Sequence, residues 1–119
     1  MLTHKEKEEI KMGKFMIEET LASPAYSGML KKPEDRGEVL KPIFEAAGCT
    51  LELYYVSGIE NKTYLIVEAP DLKNVFTVGA TFMAEGAASS TKYIPLLTLP
   101  EAVEICKKAA SLGYRPPGK

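Results

Sequence analysis

The chain has 119 residues, 45% of them apolar and 26% charged, with a formal net charge of -1. That composition suits one globular domain, and the near neutrality gives no electrostatic case for nucleic acid or an anionic membrane surface as partner. No apolar run approaches the roughly 20 residues that cross a bilayer, and the first residues are charged rather than signal-like, so the expected location is cytoplasmic.

Residues 1–13 are a charged extension with too little apolar surface to fold alone. Lys7-Glu8-Glu9 can be encoded by a purine-rich, ribosome-binding sequence, with Met12-Gly13 at about the right distance, so Met12 is read as the natural start. One α+β domain is expected over 14–113 and a tail over 114–119. A first strand is predicted over 14–21, with Phe15, Ile17, Glu19 and Leu21 on one face and Met16, Glu18 and Thr20 on the other. Ser23-Pro24 and Ser27-Gly28 are breakers, and 22–32 reads as a loop with at most one helical turn. A helix is predicted over 33–48, opened by Pro33-Glu34-Asp35 and closed by Gly48, with Val39, Leu40, Ile43, Phe44 and Ala47 at helical spacing. Pro42 should kink or restart it.

Two strands, 50–56 and 62–69, surround Ser57-Gly58-Ile59-Glu60-Asn61, whose glycine and asparagine supply the turn. The first arm alternates, with Leu51, Leu53 and Tyr55 opposite Glu52, Tyr54 and Val56. The second is apolar at most positions, which suits a central strand covered on both sides. Asp71 should cap a helix over 71–85 with Leu72, Val75, Phe76, Gly79, Phe82 and Met83 as its apolar stripe. A fourth strand follows over 90–97, confined to an edge by Pro95. Thr98 and Glu101 form a capping box for a last helix over 99–112, with Val103, Ile105, Cys106, Ala109, Ala110 and Leu112 inward.

Strand, helix, strand, strand, helix, strand is the split βαβ order, a ferredoxin-like α+β domain with a four-stranded antiparallel sheet and two helices on one face. The other face is left bare, and a second copy of the sheet is the expected cover, giving a homodimer.

The stretch GCTLELYYVSGIENKTYLIVEAPD, the small-residue helix after it and YIPLLTLPEAVEICKKA resemble the GYD-domain proteins of the dimeric α+β barrel superfamily. The resemblance runs from about Lys14 to Ala110. It implies a dimeric barrel; the wider superfamily includes cofactor-independent monooxygenases, haem-degrading enzymes, isomerases and ligand-sensing domains. The family's glycine, any residue, tyrosine, aspartate turn is here Gly58-Ile59-Glu60-Asn61, so the roles of its tyrosine and aspartate do not carry over.

Pairing Val56 with Lys62 sets Tyr54 against Tyr64 and Glu52 against Ile66, on one face with Glu68. Glu18 and Lys92 join them from the neighbouring strands. The candidate ligand-binding residues are therefore Glu18, Tyr54, Tyr64, Glu68 and Lys92, set against a plain polar interface as the structural alternative. A one-residue slip would send each to the other side. His4 is the single histidine, Cys49 and Cys106 sit in no ligand spacing and are expected as free thiols, and neither a metal nor a cofactor is expected. The expectation is a non-enzymatic dimeric module that binds a small ligand. The alternative is a cofactor-independent monooxygenase-like or isomerase-like enzyme acting on a small organic substrate, with tyrosine and glutamate carrying the protons. An enclosed, solvent-filled pocket between sheet and helices would favour the alternative, and a filled interior the module.

Overall fold

The computed structural model of the chain describes residues 12–119; the expectations for residues 1–11, His4 and the extension ahead of Met12 among them, lie outside the described part. The strands are β1 (Gly13–Leu21), β2 (Thr50–Ser57), β3 (Lys62–Ala69) and β4 (Ala88–Leu96). The helices are α1 (Ser23–Lys31), α2 (Arg36–Ala46), α3 (Leu72–Ala84) and α4 (Leu99–Ala110). All strand pairs are antiparallel, and the sheet order is β2-β3-β1-β4. This is a small α+β fold that fits the ferredoxin-like pattern broadly.

Local chemistry explains most element ends. The Asp35 carboxylate accepts from the Gly37 N–H and opens α2, three residues later than predicted. Gly48 at φ 82 and Gly86 at φ 71 end α2 and α3 in the left-handed region, where a side chain would be strained. Thr98 and Glu101 form the predicted capping box of α4. One expectation fails here, and one holds in position only. Residues 23–31 are helical because Ser23-Pro24 places proline in a first turn, where its missing N–H costs nothing. Asp71 is the N-cap residue of α3, as expected, but its side chain makes no cap bond.

The core lies between one face of the sheet and α2 and α3. Ile17, Leu65, Val67, Phe44 and Val75 are completely buried, and burial of each such side chain contributes about 1.5–3 kcal/mol. The α3 stripe is rotated from the predicted one: Val75, Val78 and Gly79 are buried, while Leu72, Phe76 and Met83 are largely exposed. Phe76 is therefore not a core residue; it rests edge-on against Tyr93, whereas Phe82 meets Phe44 beside the core. The last helix departs furthest. None of its residues is buried, and Val103, Ile105 and Leu112, predicted inward, are exposed.

The β2–β3 register also differs. Ser57, not Val56, pairs with Lys62, and a bulge between Leu51 and Leu53 makes Glu52 the extra residue. Tyr55 rather than Tyr54 consequently lies opposite Tyr64, and Tyr54 lies opposite Leu65 on the helix side.

A methyl group at Gly79 would overlap the Tyr93 hydroxyl, whereas one at Gly28 in α1 meets open space. Gly79→Ala should cost about 1–3 kcal/mol in urea unfolding, and Gly28→Ala should be neutral or stabilising by up to ~1 kcal/mol. Equal effects from the two would contradict this packing of α3 on β4.

Candidate functional site

The outer face of the sheet is crossed by rungs. Leu53, Ile66, Met16 and Ile94 form an apolar rung across all four strands. On one side of it, Tyr55, Tyr64, Glu18 and Lys92 align; on the other, Glu68 and Lys14 pair in register. The structure thus brings three of the sequence candidates, Glu18, Tyr64 and Lys92, into one rung. Glu68 is set apart by the apolar rung, and Tyr54 is on the opposite face of the sheet.

The charges on this outer face are already partnered. Glu18 lies 3.6 Å from both Lys62 and Lys92. Lys14 reaches Glu52 at 2.6 Å and Glu68 at 3.5 Å; these contacts raise the Lys14 ammonium pKa and lower that of Glu52. The Tyr64 hydroxyl donates to Glu60 at 2.5 Å, and that bond pushes its pKa up to about 12. Such a surface satisfies most of its own charge.

A concavity lies on the other side of the sheet. A cleft of about 940 Å³ lies between the inner face of the sheet and the α1–α2 segment, with Leu40, Leu51, Met29 and Phe82 among its apolar walls and Glu19, Tyr54 and Thr63 on the sheet side. Leu53, Tyr55 and Val56 also border it, so it opens past the edge strand β2. The size is that of a small-molecule site. Tyr54 is half-buried here and packs against the core. Its phenol is shifted up by desolvation first and by the nearby Glu19, with Arg36 pulling the other way.

Glu19 is the residue that the sequence reading passed over. It projects from β1 onto the inner face, between Thr63 of β3 and Thr91 of β4 in register, and only 6% of its surface is exposed. Its Oε1 has no hydrogen-bond partner, and neither have the Thr63, Thr91 and Tyr93 hydroxyls around it. Burial raises the carboxyl pKa to about 7; the Thr63 hydroxyl offsets part of this although it forms no well-aligned bond. A visible signal was there: an acid sharing the strand face of Phe15, Ile17 and Leu21.

No cluster of three or more His, Cys, Asp or Glu suited to a metal ion occurs among the described residues. No helix among them is long and apolar enough to cross a membrane. Cys49 is buried and Cys106 exposed, both as free thiols. No family model, curated protein or solved structure matches the chain.

The raised pKa has a defined effect on stability. Between the ordinary carboxyl pKa and about 7, the folded chain holds the Glu19 proton and the unfolded chain does not. The stabilisation is complete below the unfolded pKa and is lost as pH rises through about 7. Relative to Glu19→Gln, the wild type should lose on the order of 2–3 kcal/mol between about pH 4.5 and pH 8 in urea unfolding. Parallel pH profiles for the two proteins would show that Glu19 titrates normally.

Proposed function

We propose that this chain is a small-ligand-binding module whose site is the cleft under the sheet, with Glu19, Thr63 and Tyr54 as the polar contacts. One observation carries the reading: a glutamate only 6% exposed, with an unpartnered carboxyl oxygen, stands in the wall of a ligand-sized and mainly apolar cleft. A buried acceptor without a donor costs about 1–3 kcal/mol, which a ligand bearing a donor recovers. Glu18, Tyr64, Glu68 and Lys92 then belong to a different task, association.

We further propose that the chain works as a homodimer with outer sheet faces together, in the manner of the dimeric α+β barrels that its GYD-like stretch resembles. The apolar rung of Leu53, Ile66, Met16 and Ile94 supports this, because it runs between two rows of charges that are neutralised within one protomer. Paired charges next to an apolar band can enter an interface at lower cost than free ones.

The specific observation favouring an enzyme is the Glu19 carboxyl, which changes charge near neutral pH inside the cleft. A group of that kind suits proton transfer without a cofactor, as a monooxygenase-like or isomerase-like reaction would need. The binding reading asks for less, since it needs only the cleft and its unpartnered acceptors.

Nile red, an uncharged apolar dye, should bind once per protomer with a blue-shifted emission, and Met29→Trp, which fills the cleft from α1, should remove most of the signal. Dye binding that survives Met29→Trp unchanged would place the apolar site elsewhere. Separately, Ile66→Glu and Tyr64→Glu should shift the sedimenting species from dimer to monomer at micromolar concentration, while Lys107→Glu on the exposed α4 should not. A monomeric wild type would end the dimer proposal and leave the cleft proposal standing.

A further inference from the structure

The deep wall of the cleft offers unpartnered acceptors and one carboxyl, whereas the cations that line the cleft, Lys32, Arg36 and Lys41, stand on its α1–α2 side. Glu19 Oε1 and Thr63 Oγ1 are both unpartnered and both line the cleft. Facing them, β2 presents the Tyr54 phenol, β4 the Thr91 and Tyr93 hydroxyls, α1 the Tyr26 phenol, and α3 the Phe82 ring; Lys31, the other titratable group of α1, does not border the cleft. Desolvation raises the phenol pKa values of Tyr54 and Tyr93, and the Glu19 charge raises them further.

The other charges that line the cleft are on α2, on the turn leading into it and at Glu52 of β2, which Lys14 holds, and they are taken up locally. Arg36 holds Glu34 at 2.7 Å, Lys32 approaches the same carboxylate at 4.0 Å, and Lys41 holds Glu38 at 3.0 Å. The Asp35 carboxylate caps α2. Arg36 is close enough to act on Tyr54, but no cation contributes to the environment of Glu19.

We infer that the cleft takes a small primary amine as its ammonium ion, seated against Glu19 and Thr63 with an apolar body along Leu40, Leu51, Met29 and Phe82. The inference rests on the cleft being the ligand site. An ammonium group carries three N–H donors and no acceptor, which complements a wall of unpartnered oxygens. A carboxylate or phosphate would bring a second negative charge beside an ionised Glu19, whose own surroundings contribute no cation. An alcohol would supply one donor and leave the carboxylate without a counter-charge. The rings of Tyr54 and Phe82 present faces that tolerate a cation as well.

The pH dependence follows with a definite sign. Glu19 must be ionised to pair with the ammonium, and its carboxyl keeps its proton up to about pH 7. Amine affinity should therefore fall as pH drops below that point, while affinity for an alcohol should change little. Binding an ammonium in turn draws the Glu19 pKa down, so at neutral pH complex formation releases protons.

The test uses the full chain and three probes of one size and shape: phenethylamine, phenethyl alcohol and phenylacetate, titrated by calorimetry. At about pH 8 the amine should bind roughly tenfold or more tightly than the alcohol, as a charge-assisted pair would give, with phenylacetate weakest. Near pH 5.5 the advantage should shrink to within roughly twofold, and Glu19→Gln should bring amine and alcohol level at both pH values. If Glu19→Gln fails to fold, the wild-type comparison at the two pH values decides alone. An alcohol that equals the amine at pH 8, or an amine advantage unaffected by pH, overturns the amine assignment. If Nile red still binds in that case, the cleft remains the ligand site; if neither the dye nor any probe binds, the ligand-site reading falls with it.

Discussion

The bulge at Glu52 decides what each face of the sheet can do. An uninterrupted β2 would keep Leu51, Leu53 and Tyr55 on one face and carry Glu52 and Tyr54 together on the other. One extra residue changes the phase midway. Leu51 stays over the core, Leu53 joins the outer apolar rung, and Tyr54 turns inward to the cleft. Glu52 is left within reach of Lys14 two strands away. A single irregularity therefore separates an outer face of apolar and ion-paired rungs from an inner face that ends in a polar pocket.

The inner face spends stability on that pocket. The positions next to Glu19 along β1's inner side, Ile17 and Phe15, are a fully buried core residue and one packed against the core. A leucine at position 19 would extend this packing, whereas a carboxyl there is desolvated and lacks a donor for one oxygen. A buried titratable group without a structural partner, standing in a cleft, is the pattern expected where function overrides packing. Thr63 and Thr91, its cross-strand neighbours, extend the exception across three strands rather than leaving an isolated misfit.

Elements whose signals are local were legible in the sequence. Thr98-Leu99-Pro100-Glu101 specifies a helix start by its own hydrogen bonds, and Gly48 specifies an end by backbone geometry; both act where they were read. Ser23-Pro24 shows the ambiguity in such signals, because the same proline breaks a helix inside it and favours one at its start. Register was not legible. The choice between Val56 and Ser57 opposite Lys62 depends on one loop residue, and the bulge adds a second shift, so Tyr54 was assigned to the wrong face while Glu18 and Tyr64 were correctly paired with the outer one. The helix from Leu99 to Ala110 marks a further limit. Its apolar stripe says that a face needs cover, but amphipathicity does not say whether the cover comes from the same chain.

The separation of faces has a consequence for how association and binding relate. The outer apolar rung and the inner cleft are on opposite sides of one sheet, so occupying one leaves the depth of the other untouched. The two meet at β2, where Leu53 and Tyr55 belong to the outer rungs and also border the cleft mouth. Any partner that covers the outer face would reach these two side chains, both at least half exposed in the single chain. It would narrow the opening without touching Glu19 or Thr63. Coupling between association and ligand exchange, on this geometry, would run through the edge strand: the depth of the cleft sets what binds, and the packing of Leu53 and Tyr55 sets how readily it enters and leaves.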